Sequence, residues 1–252
     1  MQTTIDLNSD VGERPEALVD GREEELIRNI TSANIACGGH AGDTVTISKV
    51  IELCKNYGVG IGAHPSYPDR TNFGRIEMNL SPEEIVRCVS EQVGVLVRLV
   101  SKAGCRARHV KPHGALYNAA AKNPAIAAAI ARGVRNVDNA LILLGLAGST
   151  MLDVWRAEGF TVVGEAFADR RYEPDGTLRS RRFPDALITD PEEAAQQALR
   201  MVRDGTVTAV DGTRLSLNAQ TLCIHSDTHN AVAIARAVRA RLLKRGFLIK
   251  PL

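Results

Sequence analysis

No CxxC pair occurs in the sequence, and its five cysteines (37, 54, 88, 105 and 223) are odd in number. That argues against a disulfide framework and against a cysteine-based structural zinc site, and it reads as a reduced, intracellular setting. Charge of one sign is not in excess. The formal net charge is +2 over 252 residues, which gives no reason to invoke nucleic acid or a membrane surface. No apolar run approaches membrane-spanning length, and the opening Met1-Gln2-Thr3-Thr4-Ile5-Asp6 is too polar for a signal peptide. The chain is read as cytoplasmic. The P-loop, the glycine-rich dinucleotide fingerprint, the serine elbow and the zincin HExxH are all absent.

What is present is an ordinary globular composition, 44% hydrophobic and 24% charged. Short, mostly apolar strands alternate with helical sequence along the whole chain. The strands are read at about 4–8, 32–37, 59–65, 109–113, 140–144, 160–167 and 221–225, with the first strand ending at Asn8 and Asp10 and Glu13 in the loop beyond it. Ser81-Pro82-Glu83-Glu84 opens one helix with a capping-box pattern, Asp43 caps another, and Asp211-Gly212 marks a hairpin. The stretch 168–189 is long for a loop and reads as a lid or a disordered segment. Strand and helix in alternation imply a parallel sheet with crossover helices.

The choice of a barrel over an open sheet rests on the strand ends. Asp6, Asn8 and Asp10, His40, His64, Lys111 and His113, Glu165 and Asp169, His225 and Asp227 all fall at or near carboxyl ends. A barrel gathers all of these at one mouth, whereas an open sheet gathers only the central ones. Five of the six histidines lie at such ends, and His229 is placed one turn into the final helix. Their reactivity leaves the roles open. His40, His64 and His113 suit metal ligation or acid–base work, and Asp6, Asp10 and Asp227 suit ligation, orientation or proton acceptance. Lys111 suits an oxyanion or phosphoryl charge. Glycines at 38, 39, 42 and 148 serve turns or close ligand approach equally well.

Longer motifs carry a resemblance. Asp6-Leu7-Asn8-Ser9-Asp10-Val11-Gly12-Glu13, Ser32 to Asp43 with Cys37-Gly38-Gly39-His40, Gly62-Ala63-His64-Pro65, Phe73-Gly74-Arg75, His109-Val110-Lys111-Pro112-His113-Gly114 and Phe167-Ala168-Asp169-Arg170 resemble the LamB/YcsF family in order and across most of the chain. The resemblance implies one domain over residues 1–252. Its fold would be an irregular seven-stranded (β/α) barrel similar to the glycoside hydrolase and polysaccharide deacetylase fold. It implies hydrolytic opening of 5-oxoproline (pyroglutamate) to L-glutamate with consumption of ATP, together with 5-oxoprolinase subunits B and C. The nucleotide would be bound with those partners, and the fold resemblance admits a divalent metal without specifying ligands. The expected catalytic group is Asp10, His40, His64, Lys111, His113 and Asp227, with Asp6, Asn8, Asn34, Asp43, Arg75, Asp169 and His225 binding substrate. Two positions depart from the family pattern: Ser226 where glycine is common, and Arg14-Pro15-Glu16 where a glycine-rich run is common. Two other readings remain at this point, a metal-dependent deacetylase or amidohydrolase and a non-catalytic subunit that binds a small acid.

Under the first reading Lys111 meets developing negative charge, His113 or Asp10 is the general base, and His40 and His64 orient or ligate. Lys111→Ala and His113→Ala are each expected to lower glutamate formation by about two orders of magnitude with folding intact. Turnover of the full complex, set beside circular dichroism of each variant, checks this.

Overall fold

The computed structural model describes residues 4–252; residues 1–3, the first part of the polar amino-terminal stretch, lie outside the described residues. The barrel strands are β1 (Thr4–Val11), β2 (Ser32–Ala36), β3 (Gly60–His64), β4 (Ala107–Val110), β5 (Ile142–Leu146), β6 (Val162–Phe167) and, later in the chain, β9 (Thr221–Cys223). All pair in parallel in that order, and β9 closes the ring on β1 through Asp6↔Thr221, Leu7↔Leu222 and Asn8↔Cys223. The result is the closed seven-stranded barrel expected. An antiparallel hairpin of β7 (Thr206–Thr208) and β8 (Arg214–Ser216) precedes β9, turning at Asp211-Gly212, and β10 (Leu248–Ile249) adds a short edge to the start of β1.

Helices cover the outside: α1 (Pro15–Val19), α2 (Arg22–Ile27), α3 (Thr44–Tyr57), α4 (Pro82–Lys102), α5 (Gly114–Lys122), α6 (Pro124–Arg135), α7 (Thr150–Ala157), α8 (Pro191–Asp204) and α9 (Ala231–Lys244). The α4 start is a full capping box, with the Ser81 hydroxyl accepting from the Glu84 N–H and the Glu84 carboxylate accepting from the Ser81 N–H. One continuous apolar cluster fills the space between barrel and helices, from Leu7 and Val11 through Ile35, Val93 and Leu143 to Trp155 and Ile234. No helix among the described residues is long and apolar enough to cross a membrane. All five cysteines are free.

Several local readings change. The first strand runs on to Val11 because its ladder with β2 continues through Asp10↔Asn34 and Val11↔Ile35, so Asp10 stands on the strand itself. Short α1 and α5 were not read from the sequence, nor was β10, which pairs only through Leu248 and Ile249. His229 is exposed and precedes α9, because Asn230 takes a left-handed conformation at φ 66° and the helix starts at Ala231. The 168–189 stretch is an ordered loop folded over the barrel end. Gln197 on α8 donates to the carbonyls of Phe167, Ala168 and Arg170, and Tyr172 is fully buried with its hydroxyl accepting from the Phe167 N–H.

The barrel interior is polar where most parallel barrels are aliphatic, and glycine makes room for it. Gly62 on β3 lies in register with His109 on β4, and a Cβ there would fall 2.1 Å from His109 Nε2. His109 cannot swing aside, since its ring is fully buried and its Nε2 is 2.8 Å from Asn34 Oδ1. Gly62→Ala is therefore expected to destabilise the fold by at least about 2 kcal/mol, the cost of overpacking a fixed interior. Urea unfolding of parent and variant measures it; a shift under a few tenths of a kcal/mol contradicts this packing.

Candidate functional site

A cavity of about 360 Å³ opens at the carboxyl ends of the strands, in the size range of small-molecule sites. Asp10, Glu13, His64, Lys111 and His113 line its inner part, and Arg75, Arg170, Arg181, His225 and Asp227 stand nearer its loops. Of the six residues expected to be catalytic, five line this space. The sixth, His40, lies directly behind, its ring stacked on that of His113 at 3.7 Å.

Lys111 comes to the inner part on the two-residue step between the end of β4 and His113. Its ammonium is 2.9 Å from Asp10 Oδ1, 2.8 Å from Glu165 Oε1 and 3.1 Å from Cys223 Sγ. Its hydrogen bonds go to Asp10 Oδ1, Cys223 Sγ and, at 3.4 Å, Asn8 Oδ1, while the Glu165 contact is an ion pair without hydrogen-bond geometry. Burial works against the charge, but Asp10, Cys223 and Glu165 outweigh it and hold the Lys111 pKa well above its ordinary value. Burial likewise works against the Asp10 carboxylate, and His64 and Lys111 outweigh it, so Asp10 lies well below the usual range. Asp10 Oδ1 also accepts from Asn34 at 2.8 Å, while Oδ2 faces His64 Nε2 at 3.4 Å. This arrangement alters one expectation about folding. Lys111→Ala would strand two buried carboxylates, at a cost of about 3–5 kcal/mol, so folding would not stay intact.

The histidines beside it are fixed by backbone. His64, the last residue of β3, has Nδ1 2.7 Å from the Lys111 carbonyl, and His113 has Nε2 2.9 Å from the Phe73 carbonyl. A carbonyl only accepts, so those nitrogens are the ones that donate. Burial, then the neighbouring His40 and His64, push the His113 pKa down to about 3. Such an imidazole is a poor proton acceptor near neutrality, and so is the Asp10 carboxylate that His64 and Lys111 hold well below the usual range. Burial pushes His40 to about 2. For His64 burial is outweighed by Asp10 and Glu13, and its pKa is raised.

Glu13 was not among the expected site residues. Gly12 turns the chain at φ 73°, with its N–H bonded to the Glu23 carboxylate, and this brings Glu13 back into the mouth. Glu13 Oε1 is 2.9 Å from His40 Nε2, 3.4 Å from His113 Nδ1 and 3.7 Å from His64 Nε2. Burial, and the nearby Asp10 charge, raise its pKa. A glycine directly after a strand, followed by an acid, was the available signal. Glu165, which also accepts from Tyr117 Oη at 2.8 Å, and the loop residues Arg170 and Arg181 were likewise not assigned. Glu13, His40, His64 and His113 offer donor atoms all within 4.8 Å of one another, the natural place for a metal. Asp10, Cys223 and His225 form a second such group, but the Lys111 ammonium already lies against Asp10 and Cys223.

The expected binding residues divide. Arg75 and His225 line the cavity; Asp169 does not, but holds His225 through Nδ1 at 3.0 Å and the His225 N–H at 3.0 Å. Asp6, Asn8 and Asn34 lie below the cavity, inside the barrel. Asp6 accepts from the hydroxyls of Thr31, Ser32 and Thr221, and Asn8 Oδ1 accepts from Asn34 at 2.8 Å. Asp43 is exposed and outside the cavity, where its side chain accepts from the Thr46 N–H as the cap of α3. At the rim, Asp227 joins the guanidinium of Arg75 to that of Arg181, with 2.6 Å to Arg181 Nη1.

The sequence model of the LamB/YcsF family matches residues 5–252. A protein of Chloroflexus aggregans, named as the A subunit of 5-oxoprolinase, is 48% identical over 247 residues, 98% of each chain. The crystal structure of a lactam utilization protein from Thermus thermophilus superposes with a TM-score of 0.92 at 44% identity, covering 99% of this chain and 100% of that one. The peptidoglycan deacetylase PdaC of Bacillus subtilis shares the fold alone, with a TM-score of 0.50 at 13% identity over 100% of this chain and 88% of that one.

The placement of Asp6 generates a pH prediction. Burial raises its pKa to about 6, despite three hydroxyl partners. The folded protein therefore holds a proton that the unfolded chain releases near pH 4, and stability contributed by protonated Asp6 is lost as pH rises through about 6. Asp6→Asn removes that loss. Between about pH 4.5 and about pH 8 the variant should gain about 2 kcal/mol on the parent in urea unfolding. A difference that is constant with pH contradicts the shift.

Proposed function

The chain belongs to the LamB/YcsF family, and on that premise we propose that it is the A subunit of a 5-oxoprolinase, opening 5-oxoproline to L-glutamate with consumption of ATP alongside two partner subunits, B and C. The observation that carries this reading is the match over nearly the whole chain, to a relative of that name, by a barrel whose mouth holds a buried carboxylate, imidazole and ammonium group.

A lactam resists hydrolysis because resonance lowers the electrophilicity of its carbonyl carbon. Phosphorylating the carbonyl oxygen gives an imidate-like species that water attacks more readily, and this is the use assigned to ATP. In the chain in hand, Asp10 orients that water as a hydrogen-bond acceptor: Oδ1 is held by Lys111 and Asn34, and Oδ2 is turned to the His64 side. Lys111 keeps Asp10 ionised. Its donor toward Cys223 Sγ, a weak acceptor, is the one a developing oxyanion can recruit.

The substrate's carboxylate fits the cationic side of the cavity. Arg170 lines it, is 7% exposed, and has Nε without a partner among the described residues. Arg181 lies beside it, already engaged by Asp227. A buried, incompletely satisfied guanidinium is a strong anchor for a carboxylate.

Release of glutamate from 5-oxoproline and ATP is the test, run with the complex and with the chain alone. The complex should turn over and the isolated chain should neither hydrolyse ATP nor open the lactam. Asp10→Asn should lower turnover by about 10²–10³ through loss of a preorganised charge, while Arg170→Gln should act mainly on KM. Robust ATP hydrolysis by the single chain, or an Asp10→Asn complex of normal rate, overturns the reading.

A further inference from the structure

We infer that Glu13, His64 and His113 bind one divalent ion of the zinc class at the inner end of the cavity, with His40 stacked on the His113 ring behind them.

The first ground is where the lone pairs point. With His64 Nδ1 donating to the Lys111 carbonyl and His113 Nε2 donating to the Phe73 carbonyl, the neutral rings direct lone pairs from His64 Nε2 and His113 Nδ1. Those two atoms are 3.0 Å apart. Two lone pairs at that distance repel unless a metal ion or a proton on His64 lies between them, and the spacing of the donors matches the first.

The second ground is the spacing of the donors. Zinc bonds to imidazole nitrogen and carboxylate oxygen are about 2.0–2.1 Å, which puts tetrahedral ligands about 3.3 Å from one another. The separations here are 3.0 Å between His64 and His113, and 3.4 and 3.7 Å from Glu13 to those two. They bracket that value.

The third ground is how the ligands are held. Ligating imidazoles usually donate their other N–H to a carbonyl or carboxylate, which fixes tautomer and ring direction. Both His64 and His113 do so. The Phe73 carbonyl is aimed by a left-handed backbone, φ 56°, which is rare for an aromatic residue. Gly74 follows, also at positive φ, and a Cβ there would press on His40 and His113 at 3.0 and 3.1 Å. Two imidazoles and one carboxylate favour zinc, cobalt or nickel over magnesium or calcium. Such an ion supplies Lewis-acid polarisation of a bound oxygen.

The inference goes beyond the ring-opening reading and needs neither substrate, ATP nor partners for its test. The full chain is stripped with a chelator, dialysed against Co²⁺ and assayed for metal content and visible absorption. The result expected is about one equivalent of Co²⁺ with the intense d–d bands of a four-coordinate nitrogen and oxygen site, and a higher melting temperature with Zn²⁺. His113→Ala and Glu13→Gln should each weaken Co²⁺ binding by at least tenfold. Should either variant fail to fold, ¹⁵N spectra of the histidines in the parent decide the matter, because Zn²⁺ must move His64 Nε2 and His113 Nδ1. No stoichiometric Co²⁺ uptake, uptake unchanged in folded variants, or unmoved histidine resonances would overturn the inference; a proton then occupies the space between the rings.

Discussion

Lys111 carries its charge into the barrel end, where it is 2% exposed, and Asp10 and Glu165 meet it from β1 and β6. An ammonium taken out of water loses several kcal/mol of hydration, which a buried partner offsets only with near-complete hydrogen bonding. Here the donors go to Asp10, Asn8 and Cys223 of β9, and Glu165 adds its charge as an ion pair. Three strands that never meet in sequence are thus tied at one point near the mouth. The same contact keeps Asp10 ionised, so the reactivity of the site and the closure of the barrel rest on one cluster.

Around that cluster the charges are sorted. The imidazoles of His40 and His113 stay neutral because burial and their neighbours disfavour protonation, while the carboxylates of Glu13 and Asp10 draw His64 toward the charged form. The guanidinium groups of Arg170, Arg181 and Arg75 come from loops. A small acid can therefore meet a fixed cation on one side and the acid–base groups on the other. Asp227 joins Arg75 to Arg181 and so links the loop after β3 to the loop after β6.

Asp6 and Asp43 show how strand-end position misleads. Both are acids near expected functional turns, yet Asp6 is enclosed by hydroxyls within the barrel and Asp43 caps a helix in solvent. Neither difference leaves a mark in local residue pattern, because burial and capping are decided by what packs above the residue.

What the sequence determined by itself was the alternation of strand and helix, the capping signals at Ser81 and Asp43, and the clustering of His40, His64, Lys111 and His113 at strand ends. These are local: period, turn chemistry and residue type are enough to read them. Tertiary structure decided the rest. It set the extension of β1 to Asp10, which depends on pairing with β2, and the entry of Glu13, which depends on the Gly12 turn and the Glu23 carboxylate. It also set the proton positions on His64 and His113, which depend on carbonyls at Lys111 and Phe73. The physical reason is one of range: a donor's direction and a carboxylate's proton affinity are fixed by atoms dozens of residues away, brought within 3 Å only when the barrel closes.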